Sequence, residues 1–313
     1  MPSRPGIFLL EGTYLMARSR VKWQGTLAGS IMFAPYLILL VAFGIVPVVM
    51  AFATSLGSSR ANPAGGLANY LTVVTDFRFM PALINVTVFV LIYVPLMVVV
   101  VAIMSLLLDA IRTKWTVSLR AAYIVPASIS GAVSIMVWYF MLEPTYSPYR
   151  DLLHAVGITQ GSQIWAKPNL MVIFVLMAFA TGAGNWIIVQ YGSLQSIPDD
   201  ILEAARIDGA NGLQIALRIK LPLIQKYLVY MGILTFAAGL QVFVEPYLIS
   251  SSVYTGLAKD WSLNQLSYAF AFESGDLAAA SALSLMLLLV CVVFALVVIF
   301  KTDFFEESGV TKK

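Results

Sequence analysis

Six apolar runs, each of bilayer-crossing length, decide what this chain can fold into. A span needs about 20 mostly apolar residues. Residues 27–52, 82–108, 121–142, 170–189, 223–247 and 277–300 all meet that requirement. Within lipid each run must be helical, because no water is present to satisfy a free backbone N–H or C=O. The expected fold class is an all-α integral membrane protein with six transmembrane helices. Composition agrees: 60% of residues are hydrophobic and 11% charged, where a soluble chain carries roughly 25% charged residues.

The same composition excludes several classes of function. A net charge of +3 without a basic stripe argues against nucleic acid as a partner. Cys291 and His154 are each the sole residue of their kind, so neither an internal disulfide nor a His/Cys metal cluster is available. There is no P-loop pattern. No cleavable signal peptide is expected, because the first apolar patch, residues 7–10, is short and stops at Glu11. Residues 1–26 form an N-terminal tail. Ile7, Phe8, Leu9, Tyr14, Leu15 and Met16 suit either a short interfacial helix or an unstructured tail, with Arg18, Arg20 and Lys22 following.

Positive charge orients the spans. Fourteen of the lysines and arginines fall in the N-terminus, the second–third and fourth–fifth connections and the C-terminus; five fall in the remaining connections. Both termini are therefore expected on the cytoplasmic side. The opposite connections hold Pro, Gly, Tyr and Trp, and the middle one suits a short helix over residues 151–156. Residues 27–300 read as one integrated membrane domain, followed by a C-terminal tail, 301–313.

One connection is unlike the others. Residues 193–222 include "IPDDILEAARIDGANGLQIALRIKLP". Pro198 suits the first helical position. Asp199, Asp200 and Glu203 favour the positive end of the helix dipole. Ile201, Ala204, Ala205 and Asp208 recur at helical spacing, and Gly209 is a natural terminator. A second helical stretch over 211–219 then leads through Lys220 to Pro222, again at a first-turn position. The pattern is a rigid two-helix knob with small alanines for close approach, or alternatively a solvated loop with ordinary caps.

This stretch resembles the EAA loop of ABC-importer permeases: Glu-Ala-Ala, three residues, Gly, nine residues, then Ile-x-Leu-Pro. Glu203, Ala204, Ala205, Gly209, Ile219, Leu221 and Pro222 meet that spacing, and Asp208 and Ala210 complete the "DGA" form of carbohydrate importers. Most of residues 30–300 is similar to the first of two permeases in importers of the maltose and glycerol-phosphate type. Departures fall at Leu213 and Ala216, where aromatics are usual, and at "ISSSVYTG", where "GGP" is often found. The resemblance implies a type I ABC importer permease fold in a bacterial or archaeal cytoplasmic membrane. It implies a second permease subunit, two ATPase subunits and an extracytoplasmic solute-binding protein as partners, and a carbohydrate substrate. ATP-Mg would bind the ATPases, leaving this chain without a cofactor and without catalysis. Glu203, Ala204, Ala205, Asp208 and Gly209 would make the docking surface for an ATPase.

Polar residues within spans are costly and face a bundle interior or a cavity. On the fourth span Thr181 and Asn185 are four apart and share a helix face. Gly182 and Gly184 let a ligand or a helix approach, and Trp186 offers a stacking surface. On the fifth, Gln241 and Glu245 are also four apart, while Thr235 lies about 80° from Glu245 around an ideal helix. Aligned on the EAA loop, the resemblance places Thr181, Gly182, Asn185, Thr235 and Gly239 in the sugar-holding region; Gln241 and Glu245 are added by the physical argument. Interhelical packing accounts for Thr181 and Thr235 equally well. Ser128, Ser130 and Ser134, beside Pro126, suit packing. Two other functions remain open at this level: an ABC permease for a non-sugar solute, and an ion-coupled secondary transporter, which would show midspan ionisable residues.

Overall fold

The computed structural model describes residues 29–59, 62–111, 115–129, 131–252 and 260–302. The N-terminal tail, most of the C-terminal tail and Ser130 lie outside the described residues, as does most of the connection after the fifth span. Among the described residues there is no strand. Five helices are long and apolar enough to cross a membrane, and a sixth segment is a bent pair.

The chain divides into two units, 1–54 and 55–313. The first contains the first span, Gly29–Ser55, up to its final residue, with a π-helical stretch at Val41–Ile45. In the second unit the second span, Phe79–Ala110, is the central element, and the fourth (Lys167–Gln195) and fifth pack directly on it. At 32 residues it is about 48 Å long at 1.5 Å per residue. That exceeds the ~30 Å hydrocarbon core, so its ends emerge from lipid. Phe89, Val86, Met97 and Val101 of this helix, with Phe174 and Met177 of the fourth span, are fully buried in the core.

The third span is not the straight helix expected over 121–142. Helix Trp115–Ser128 carries Pro126, and its Ser118–Ser128 part meets Gly131–Leu142 at 96°. Pro126 has no N–H to give the preceding turn, and the break follows it within three residues. Helix Arg150–Ala155 appears where the sequence indicated one, followed by a single turn at Gly161–Ile164.

Two helices were not expected. Ala68–Thr75 follows the first span and is pinned by wholly buried Asn69, whose amide donates to the carbonyls of Ser55 (2.8 Å) and Gly57 (2.9 Å). Leu263–Tyr268, prolonged as a π turn over Ala269–Glu273, packs on the sixth span, Leu277–Lys301. Arg78 joins this segment to the start of the second span. Its guanidinium grips Asp76 at 3.0 and 2.9 Å and lies 5.2 Å from the Phe270 ring centroid. The Arg78 hydrogen bond holds the Asp76 carboxyl below the usual carboxylate range.

Candidate functional site

The 193–222 connection folds as a small body with its own core. Helix Asp199–Ile207 has Pro198 as its N-cap, one position earlier than the sequence suggested, and Asp199 and Asp200 in its first turn. Gly209 closes it at φ +83°, left-handed backbone that L side chains rarely adopt. Asn211 then opens a reciprocal cap: its side chain accepts from the Gln214 N–H while Gln214 accepts from the Asn211 N–H. Leu202, Ala205 and Ile215 are buried together, with Ile197, Ala210 and Ile219 packed around them. Burying Leu202 and Ile215 contributes about 1.5–3 kcal/mol each, enough to hold the two helices at a fixed angle.

This core separates residues that the sequence placed on one face. Ala205 lies inside it, while Ile201, Glu203, Ala204, Asp208 and Gly209 are exposed. The outward surface of the knob is therefore Glu203, Ala204, Asp208 and Gly209. The second stretch is also not one α-helix over 211–219: a short turn at Gly212–Ile215 becomes π-helical over Ala216–Lys220. Pro222 then sits in the first turn of Leu221–Leu223, and the fifth span continues as Gln225–Leu240. Ile219 and Leu221 are half-buried along this link.

A buried charge cluster anchors the link to the bundle. Asp109, near the end of the second span and 5% exposed, accepts from Gln195 Nε2 at 2.5 Å and from the Lys220 ammonium. A cavity of about 370 Å³ opens beside it, lined by Asp109, Arg206, Ala210, Ile215 and Lys220 among others. Sequence reasoning placed Lys220 only on the path to Pro222 and did not single out Asp109.

Two of the in-span candidates, Gly182 and Gly239, face a residue that sequence reasoning did not select, Tyr93 of the second span. A Cβ on Gly182 would stand 3.2 Å from the Tyr93 hydroxyl, and one on Gly239 would stand 3.3 Å from its ring. The glycines thus admit a helix: Gly184 likewise faces the Tyr123 backbone carbonyl of the third span. Thr181 donates back to the Met177 carbonyl at 3.0 Å, and Ser128 back to Val125. Thr235, 2% exposed, has no hydrogen-bond partner for its hydroxyl among the described residues; the same holds for the Gln190 carbonyl oxygen. Asn185 and Gln241 are exposed, and Trp186 meets Tyr230 edge-on at 6.0 Å.

The fifth span is broken where the sequence reads as continuous. Residues 241–243 are non-helical, and Val244–Ser252 resumes the span. Pro246, in the first turn of the outer piece, cannot donate to the carbonyl of Val242. That proline was the available signal.

An all-α, multi-span membrane protein with a self-cored connecting knob is the class these elements define. No family model matches the chain. It is 29% identical to a probable ABC transporter permease protein, YurN, of Bacillus subtilis, over 74% of this chain and 80% of that one. It is 26% identical to the trehalose/maltose transport system permease protein MalF of Thermococcus litoralis, over 89% and 95%. Among solved structures, a chain of a bacterial alginate ABC transporter, in complex with an alginate pentasaccharide-bound periplasmic protein, superposes with a TM-score of 0.77. The identity is 19%, with 93% of this chain and 99% of that one covered. The chain is thus similar in sequence to ABC-importer permeases, as the EAA spacing indicated, among them permeases of carbohydrate importers, and it shares the fold of the alginate transporter's chain.

Proposed function

We propose that this chain forms half of the translocation pathway of an ATP-driven importer for a sugar or oligosaccharide. The observation that carries the reading is the EAA spacing realised as a self-cored knob joined to the fifth span. Glu203, Ala204, Asp208 and Gly209 face outward to dock an ATPase, while Ala205, Ala210 and Ile219 hold the knob's shape. The link over Leu221 and Pro222 passes its displacement to the fifth span. ATP and magnesium bind the ATPase partners, and this chain hydrolyses nothing. The termini lie in the cytoplasm of a bacterial or archaeal cell, and the chain sits in its cytoplasmic membrane. The opposite face receives a solute-binding protein; the structurally similar alginate transporter is in complex with a periplasmic protein. A second permease completes the pathway. The sugar reading is supported by relatives whose names specify trehalose/maltose and arabinooligosaccharides.

The test is to tag the chain in its native host, purify it in mild detergent after cross-linking, and identify its companions by mass. A second permease and a P-loop ATPase should co-purify. Isolation of the folded chain without either would overturn the assembly and favour an ion-coupled mechanism.

A further inference from the structure

The break in the fifth span opens beside an aromatic ladder. Phe243 stacks on Tyr247 with centroids 5.1 Å apart and planes 19° from parallel. Tyr268 packs against both, at 5.7 and 5.3 Å, and Phe272 continues the row 4.7 Å further on. Phe272 is 73% exposed, and the other three rings are half-exposed. Four rings from two separate segments thus make one partly open face.

Polar groups frame it. Glu273, exposed, closes the π turn that carries Phe272. Asn264 donates to the carbonyl of Gln241 at 2.8 Å, within the break, and Gln265 reaches the Ser250 hydroxyl at 3.5 Å. Aromatic residues at a bilayer surface often belong to an interfacial belt. Here the ladder starts at non-helical backbone within a span, which is tolerated at membrane depth only against protein or a water-filled cavity. The density of amides and hydroxyls also disfavours a lipid-facing position.

We propose that Phe243, Tyr247, Tyr268 and Phe272 form an entry subsite for a neutral pyranose ring, on the outer side of the in-span positions around Tyr93. The aromatic faces cover the apolar C–H face of the sugar; phenol hydroxyls and the Glu273 carboxylate engage its hydroxyl groups. A carboxylate at this rim disfavours an anionic sugar. The subsite rests on the importer reading, so its test separates the two.

The assembled transporter, with its second permease, ATPases and binding protein, is placed in proteoliposomes and offered trehalose, maltotriose, arabinotriose and an alginate trisaccharide. Uptake of a sugar upholds the importer reading; uptake of none overturns that reading and the subsite with it. Affinity for the imported sugar is then measured without binding protein, by saturation-transfer NMR on the complex in nanodiscs. Tyr268→Leu, which keeps bulk but loses the ring, should raise Kd about three- to tenfold, the size of one aromatic contact. Tyr268→Phe should recover the stacking share of that loss and retain only the loss of its hydroxyl contact, and Phe243→Leu should behave as Tyr268→Leu does. Equal affinity in all variants, no binding of the imported sugar, or preference for the alginate probe over the neutral sugars would overturn the subsite alone.

Discussion

At the scale of single residues, the most consequential contact is Asp109 with Lys220. The pair is separated by 111 positions, so no local spacing announces it; an acid closing the run "LLLD" was the only sequence cue. Removing one member of a buried ion pair leaves the other uncompensated, at about 3–5 kcal/mol. Lys220→Met should cost about 3 kcal/mol, moderated because Gln195 still bonds Asp109 and Lys220 is partly exposed. Thermal unfolding of the purified protein in detergent would measure the loss. The double variant Asp109→Leu/Lys220→Met should be more stable than Lys220→Met alone, since an apolar pair replaces both charges. A double variant less stable than the single would show that Asp109 holds its neighbours independently of the lysine.

Among elements, the long spans were legible because hydropathy over some twenty residues needs no knowledge of neighbours. Helices Ala68–Thr75 and Leu263–Tyr268 were not, because they are short, mix polarity and owe their positions to Asn69 and to the sixth span. The bend in the third span and the break in the fifth follow Pro126 and precede Pro246, so the punctuation was present but its depth of effect was not. Glycines carried a similar ambiguity. Gly184 was read as admitting either ligand or helix, and the Tyr123 carbonyl occupies the space a side chain would need. Gly184→Leu should therefore separate the fourth span from the third, at a cost of about 1–3 kcal/mol or more, read as a lowered Tm and a reduced monodisperse yield. Gly192→Ala, where nothing lies within 4 Å, is the matched control and should leave both unchanged.

At the scale of the whole molecule, the EAA spacing pointed to the permease class before any coordinates, because Glu203-Ala204-Ala205, Gly209 and Ile219-Lys220-Leu221-Pro222 fall at fixed intervals that a chance match rarely meets. Which of its residues face outward was not legible: Ala204 and Ala205 are identical and adjacent, and only the position of Ile215 decides that one is interior. If the outward set couples transport to ATP, Glu203→Arg should lower uptake by about tenfold or more through charge mismatch at a docking surface, with membrane insertion and yield intact. Gly209→Pro should do the same, because proline cannot adopt φ +83°. Uptake by reconstituted transporter checks both, and normal transport in either would remove that residue from the coupling surface. The π turn at Ala216–Lys220 has a further effect on this connection. It holds one residue in reserve while leaving the helix on either side in phase. Loss of a single residue there is absorbed by reversion to α geometry, and Glu203 keeps its azimuth. The same loss within Gln225–Leu240 has no such slack and swings everything beyond it by about 100°. The chain thus has slack for one lost residue where the knob meets the span and none within the span itself.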